Sequence, residues 1–403
     1  MKQYLDLLKA IKEKGTIKPA SRAGMPGTTS LFGYQYKHNL SEGFPLLTTK
    51  KVYWKGVAVE LLWILNGDTN VKYLINNNVN IWNEDAYNYY VKYRKNKGET
   101  IILSFDEFIN AIKLDVYSGE HDYKFGDCGF QYGKVWRKWE LKEKESIRDG
   151  EYANGEYKWR IQNKTLDQIK NLIEGLKYNP ESRRHIVTAL DPANYDNLAL
   201  FVCHSMFQFN CRPLSDEERV SLYNTIGNKT LEPRQCLGHC IYPEGYVMLH
   251  EEDIPDPIGW ELSDEHRKIL DEHNTPKYYL DCQLYQRSGD SAIGIPYNLA
   301  SYSLLTEILC KICNMLPGDF IHTLGDVHIY DNHQDVVNTQ LERTPKELPI
   351  LSFSNNFNVL VNEYNSNIIT LDGLFNNLTH EDFIIENYNP HPTIKAKLST
   401  GLI

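Results

Sequence analysis

Apolar residues recur along this chain at two spacings. Leu7, Leu8 and Ile11 fall at helical intervals ahead of Gly15, which predicts a short surface helix over residues 4–14 closed by a glycine. A turn-rich stretch, 21–28, separates it from a strand over 30–36. Residues 57–65 read VAVELLWIL, a buried helix with one carboxylate, Glu60. Further on, the pattern predicts an amphipathic helix over 166–176 and a strand over 185–190. An apolar run over 198–202 leads to Cys203, which belongs at the mouth of a strand or turn. Apolar pattern returns over 279–285, in a buried helix over 300–315 and in a strand over 320–324, while the composition of 345–370 suggests β structure. Three stretches break the pattern: 86–123, rich in Tyr, Lys and Asn; 140–160, dense in charge; and 212–277, with scattered Pro, Gly and Asn. These read as insertions or surface excursions, the last carrying short helices. No internal repeat is present.

Composition narrows the class. With 403 residues, 41% hydrophobic and 24% charged, the chain is that of a folded globular protein. The formal charge of -10 argues against a nucleic-acid partner, although a small phosphorylated ligand needs only a few arginines. Residues 212–277 alone hold 14 acidic against 7 basic residues. No run approaches the roughly 20 apolar residues that span a bilayer, and the first twenty positions hold five lysines and no apolar stretch of signal length. The expected address is cytoplasmic, with no membrane partner. Cysteines at 128, 203, 211, 236, 240, 282, 310 and 313 do not form a secreted disulfide framework and read as reduced thiols.

Several residues carry candidate chemistry beside an ordinary reading. A buried Glu60 is either satisfied by a structural partner or is a proton-transfer group with a raised pKa. Arg183 and Arg184, before a strand, are solvated surface or a phosphate clamp. Cys203 is a small core residue or a nucleophile, its thiolate favoured by nearby cations. His204, its neighbour, points to the opposite face, which discounts a protease-type dyad. Gln286, Arg287, Ser288, Gly289 and Asp290 set a guanidinium and a hydroxyl before a glycine. Asn298, near a helix start, is a cap or a ligand. His328 and Tyr330 share one strand face and can grip one hydroxyl. Cys236, His239 and Cys240, with Cys211 upstream, do not match a zinc spacing, and no metal is expected. Cys310 and Cys313 fall in an apolar helix and read as core.

The order and wording of these segments resemble the thymidylate synthase family almost from end to end. The strings are PLLTTKKVYWKG (45–56), ELLWILNGDTN (60–70), IW (81–82), YGKVWR (132–137), SRRHIV (182–187), CH (203–204), QLYQRSGD (283–290), GIPYNLASY (294–302), FIHTLGDVHIYDNH (320–333) and NPHPTIK (389–395). The resemblance implies an α+β fold with a large mixed sheet flanked by helices, one catalytic domain over 1–403 carrying loop-rich insertions at 86–123, 140–160 and 212–277, and an obligate homodimer with sheets packed back to back. It implies that Cys203 attacks carbon 6 of deoxyuridylate (dUMP), so that carbon 5 takes a one-carbon unit from 5,10-methylenetetrahydrofolate. Arg22, Arg287 and Ser288, with Arg183 and Arg184 of the partner subunit, match the family's phosphate site. Glu60 matches its general acid/base, Tyr132 and His204 residues near the base, and His328 and Tyr330 the grip on the 3′-hydroxyl. Gln286 belongs with the substrate-binding set, and Trp82 and Asp290 match folate contacts. Asn298 favours uracil, since related deoxycytidylate hydroxymethylases have Asp there.

Departures from the family cluster near the cysteine. Phe201-Val202 precede it where one or two prolines are usual, and the deoxycytidylate hydroxymethylases also carry Phe two residues before theirs. Leu190-Asp191 replace Trp-Asn, Gly129-Phe130-Gln131 replace Gly-Pro-Val, and the tail 396–403 runs about three residues beyond the family's usual end. A wetter site would let water rather than hydride reach the exocyclic methylene. The expectation is therefore a dUMP hydroxymethylase, an activity known among viral enzymes that make modified DNA precursors, with thymidylate synthase proper as the alternative. A member retired from catalysis is the third reading, opposed by intact Cys203, Glu60, Asn298 and phosphate-site residues.

Overall fold

Alternation of buried and outward residues builds the central sheet. Leu280, Cys282, Leu284 and Gln286 are buried while Gln283 and Tyr285 face outward, and Phe207, Phe209 and Cys211 alternate likewise with Met206, Gln208 and Asn210. The computed structural model describes residues 1–20, 25–115, 125–147, 158–227, 262 and 264–396. In chain order these form α1 (Lys2–Lys14), β1 (Thr16–Lys18), β2 (Thr28–Asn39), α2 (Trp54–Leu65), α3 (Lys72–Asn76), α4 (Asn83–Asn96), α5 (Phe105–Leu114), α6 (Tyr132–Arg137), β3 (Trp139–Ile147), β4 (Lys158–Leu166), α7 (Gln168–Tyr178), β5 (Ile186–Thr188) and β6 (His204–Pro213). There follow α8 (Asp216–Gly227), α9 (Asp264–Glu272), β7 (Tyr278–Asp290), α10 (Gly294–Cys313), β8 (Leu316–Tyr330), α11 (Gln334–Glu342), β9 (Ile350–Phe353), α12 (Asn355–Asn365), α13 (Leu371–Asn377) and β10 (Phe383–Glu386).

The six-stranded sheet runs β1-β2-β8-β7-β6-β5, with β7 and β8 parallel and the other pairs antiparallel. It is therefore mixed, and the class is α+β. One face is covered by α10, whose sequence is apolar nearly all round and whose residues Leu299, Ala300, Leu304, Ile308 and Leu309 are buried. Helix α2 packs on α10 and α6. The opposite face carries Gln35, Gln283 and Thr323, where both glutamine amides donate to the threonine hydroxyl at 2.8 and 3.0 Å, together with exposed Tyr285 and Ile186. No element of the described residues covers those side chains. No helix among the described residues is long and apolar enough to cross a membrane.

Several expectations change. Residues 86–123 begin as α4 and α5, which bring Ala86, Tyr90, Phe108 and Ile112 into the core rather than making a surface excursion; a Ser104–Glu107 capping box starts α5. Of the charged stretch 140–160, the described residues 140–147 and 158–160 lie in a two-stranded ribbon, β3 and β4. In 212–277 the described ends form α8 and α9, with a small separate cluster of Val220, Tyr223, Leu262 and Leu270. Residues 345–370 hold one short strand and then α12, not the β structure expected. Gly15 closes α1 in an extended conformation, φ -71°, instead of the left-handed one.

Arg137 ties the helical layer together. It is 3% exposed, its Nε donates to Asp167 at 3.0 Å, its Nη2 to Asp372 at 2.5 Å and its Nη1 to Leu65 O, so one side chain joins α2, α6, α7 and α13. Arg137→Leu leaves a carbonyl and a part-buried carboxylate without their donor, and is expected to lower unfolding free energy by about 3 kcal/mol. Denaturant titration checks this, read as a lower midpoint at unchanged slope.

Candidate active site

Cys203 stands in the bend that leads into β6. Its carbonyl accepts from Arg287 N at 2.9 Å, and the β6–β7 register shifts between His204 and Met206. Such an irregularity re-aims the side chains next to it. The Arg287 guanidinium folds back, donating from Nε to Val202 O at 2.7 Å and from Nη2 to Phe201 O at 2.8 Å, and its Nη2 lies 3.8 Å from Cys203 Sγ. The Phe201 ring caps it at 4.4 Å. Cys203 as a residue is half-buried. Burial pushes the thiol up from its ordinary value, Arg287 pulls it down, and Asp85 adds to the rise.

Arg22 and Arg287, with Arg183 and Arg184 of the partner subunit, are expected around the phosphate; within one protomer Arg287 is the one of these in the described residues that lies beside the thiol. Arg183 and Arg184 are exposed at the turn before β5, and neither guanidinium hydrogen-bonds to Cys203, Arg287 or Ser288. Arg22 lies outside the described residues. Ser288, half-buried, follows Arg287 along β7 and pairs with Asp326 of β8.

Tyr132, at the start of α6, fixes the backbone around Cys203. Its hydroxyl oxygen accepts from Cys203 N at 2.9 Å and from His204 N at 3.2 Å, and its ring stacks on His204 at 5.1 Å between centroids. Burial pushes His204 down to about 4, opposed by its hydrogen bond with Asn298, so the imidazole is neutral at physiological pH. Glu60, in mid-α2, accepts from Trp82 Nε1 at 2.6 Å. Burial pushes its carboxyl up to about 7, with the indole bond opposing. A carboxyl so placed exchanges its proton near neutral pH. The Trp82 ring also meets Tyr132, at 6.2 Å, which brings the acid to the same wall as the cysteine.

A polar row lines the ends of β7 and β8. Gln286 Nε2 donates to Ser288 O at 2.8 Å and to Asn298 Oδ1 at 3.0 Å. Asn298 sits inside α10, whose N-cap is Ile293, so it does not cap the helix. His328 and Tyr330 share a face as expected, with ring centroids 4.8 Å apart. Asp290 Oδ1 accepts from Ala292 N at 2.9 Å and Ile293 N at 3.3 Å, and its Oδ2 lies 3.6 Å from His333 Nδ1.

Three features escaped the sequence reading. Asp326 Oδ1 lies 3.2 Å from His328 Nδ1 and accepts from Ser30 at 3.0 Å, which orients the imidazole. The alternation that joined His328 to Tyr330, carried two residues back, places Asp326 on the same face. Buried Lys50 donates to Ala292 O, and burial pushes its amine down to about 8; it lies in the string PLLTTKK. Third, two of the unusual residues, Phe130 and Gln131, lie in a seam that joins 128–131 to 197–200. Gly129 and Leu198 make an isolated bridge, Phe130 N donates to Asn197 O, Ala199 N to Cys128 O, and Gln131 Nε2 to Leu200 O. Gly129 has φ +76°, and a Cβ there would lie 2.1 Å from Asn197 O, so the seam demands glycine.

A cavity of about 1020 Å³, lined by Asp68, Tyr73, Tyr89, Asp127, Lys134 and His380 among others, touches the seam through Gly129, Phe130 and Asn197 but includes none of Cys203, Arg287, Glu60, Tyr132 or Asn298. The chemistry favours the cleft at Cys203, since the cavity offers no nucleophile beside a cation. Among the described residues no group of three or more His, Cys, Asp or Glu could hold a metal ion. Cys236, His239 and Cys240 lie outside them.

A family model described as thymidylate synthase matches residues 2–226 and 268–400. The internal residues it leaves unmatched, 227–267, fall inside the acidic stretch 212–277. Proteins named thymidylate synthase from Listeria monocytogenes serotype 4b, Listeria monocytogenes serovar 1/2a and Listeria innocua serovar 6a are each 36% identical, over 415, 413 and 413 residues. Each comparison covers 99% of this chain and 100% of the relative.

Proposed function

Because the chain belongs to the thymidylate synthase family, whose members transfer a one-carbon unit to dUMP, we propose that it makes thymidylate from dUMP by reductive methylation. The observation that carries this reading is the sulfur of half-buried Cys203, 3.8 Å from the Arg287 guanidinium and on one wall with Glu60. Cys203 adds to carbon 6 of the pyrimidine, which lets carbon 5 take the one-carbon unit; carbon 5 then loses its proton as tetrahydrofolate leaves, and the thiolate departs from carbon 6 when hydride from that folate reduces the exocyclic methylene to methyl. Glu60 moves protons at the base's carbonyl and at carbon 5, with its proton held near neutral pH by desolvation. Tyr132 and neutral His204 keep the nucleophile's backbone in place. His328, oriented by Asp326, and Tyr330 hold the 3′-hydroxyl, and Asn298 reads the base.

The phosphate is held by Arg287, whose Nη1 remains after Nε and Nη2 have gone to carbonyls, by Ser288 and Arg22, and by Arg183 and Arg184 of a second copy. The uncovered sheet face supports that homodimer, since its Gln35, Gln283 and Tyr285 lie exposed and Thr323 half-buried between them, while Arg183 and Arg184 are exposed at the turn before β5. Methylenetetrahydrofolate supplies the one-carbon unit and the hydride. Of its expected contacts, Trp82 is buried with its N–H on Glu60, and Asp290 has Oδ1 on two backbone N–H groups and Oδ2 beside His333. We place the reaction in the cytoplasm.

The hydroxymethyl product expected from the residues beside Cys203 is the second reading, and Phe201 is the residue that favours it. Against it, Phe201 packs on Arg287 instead of opening a path for water, and the relatives are named thymidylate synthase. Purified protein with dUMP and methylenetetrahydrofolate is expected to give a methylated nucleotide with one dihydrofolate per turnover, followed by absorbance and nucleotide mass. Hydroxymethylated nucleotide without dihydrofolate would reverse the assignment.

A further inference from the structure

A buried hydrogen-bonded chain runs from β2 to the amide that meets the base. The Tyr36 hydroxyl lies 2.8 Å from Nδ1 of His322 on β8, and His322 Nε2 lies 2.9 Å from Oε1 of Gln286 on β7. Gln286 Nε2 continues to Ser288 O and to Asn298 Oδ1. Tyr36, His322 and Gln286 are 6%, 0% and 2% exposed, so no bulk water can substitute for a missing partner.

The chain has one permitted direction. Ser288 O can only accept, so the Gln286 amide nitrogen must face it and Oε1 must face His322. An amide oxygen only accepts, so His322 carries its proton on Nε2, and the bare Nδ1 accepts from the Tyr36 hydroxyl. Burial pushes His322 down to about 3, in keeping with a neutral ring. Reversing the ring's tautomer would set lone pair against lone pair at Gln286, unsatisfied and dry. At the far end, Asn298 has its Oδ1 pinned toward Gln286.

That pin bears on selectivity. Uracil presents a ring N–H and a carbonyl; cytosine presents a bare ring nitrogen and an amino group, the same edge with donor and acceptor exchanged. A free asparagine amide serves either by turning half a revolution. One held by its oxygen serves only one. Resting on the dUMP reading above, the geometry points to Tyr36 and His322 as positioning residues for base choice, which hold Gln286 and, through it, Asn298 in the order that suits uracil.

Calorimetric titration of the full-length protein with dUMP and with deoxycytidylate tests this. In His322→Phe the ratio of the two affinities is expected to fall about tenfold toward deoxycytidylate, and in Tyr36→Phe, which keeps the ring and loses only the hydroxyl, about threefold. A merely structural role would weaken both nucleotides alike and leave the ratio unchanged. Should His322→Phe fail to fold, Tyr36→Phe decides alone. A selective wild-type protein whose ratio is unmoved by the hydroxyl's removal overturns the positioning role by itself. A wild-type protein that binds neither nucleotide overturns the functional reading and this inference with it.

Discussion

Cys203→Ala is expected to abolish turnover, by at least about four orders of magnitude in kcat, while dUMP binding persists. The expectation follows from position. The sulfur sits where β6 begins, at a register shift, with two backbone N–H groups around it committed to Tyr132 and its own carbonyl committed to Arg287. That backbone geometry does not need the sulfur, so removing it leaves the cleft intact and takes away the nucleophile alone. Single-turnover mixing with nucleotide recovery by mass spectrometry reads the result. Turnover that survives in the variant would rule out a covalent route, and a wild-type protein already inert would revive the retired-enzyme reading.

Glu60→Gln is the second large effect, expected to lower kcat by about 10²–10⁴-fold. The amide still accepts from Trp82, so the pocket keeps its shape and loses only the exchangeable proton. The wild-type rate should bend near pH 7, where the buried carboxyl titrates, and that bend should vanish in the variant. Stability should move the other way. The folded protein holds the Glu60 proton up to about pH 7 and the unfolded chain only to about 4.5, so native stability falls as pH rises across that window and stays lower above it. At pH 8 the variant, carrying no charge there, should be more stable than wild type by about 1–3 kcal/mol, read from thermal melts. A less stable variant at pH 8 would mean that the carboxylate is better solvated than its surroundings suggest.

The two effects together explain why the acid was half legible in the sequence. VAVELLWIL announces a carboxylate among aliphatic residues, and the structure supplies both readings at once: Glu60 has a partner, the Trp82 indole, and a raised pKa besides. Trp82 could be placed near a ligand but not on the acid, because the bond joins two helices. His328 and Tyr330 were legible because strand alternation is local. Arg183 and Arg184 could be found in the sequence, yet their reach toward a phosphate depends on a second copy.

The main error in the elements has a plain cause. Phe357, Leu360, Val361 and Tyr364 recur three to four residues apart behind Ser354, which caps α12 by accepting from Phe357 N. Judged by composition the stretch suggested strands; judged by period it is a helix. The ribbon of β3 and β4 was hidden for the opposite reason, since charged residues on both strands mask its pairing.

The pairing of β2 with β8 sets the order in which this molecule can come into being on the ribosome. Ser30 and Asp326, hydrogen-bonded in the finished sheet, are 296 residues apart in sequence, and Tyr4 on α1 donates to Ser291 O. An emerging polypeptide therefore leaves β2 without its inner neighbour until most of its length has been synthesised. During that interval the inner edge of β2 depends on chaperones or on speed, and a message cut short before β8 yields a product whose β1-β2 pair and β5-β6-β7 set have no strand to join them.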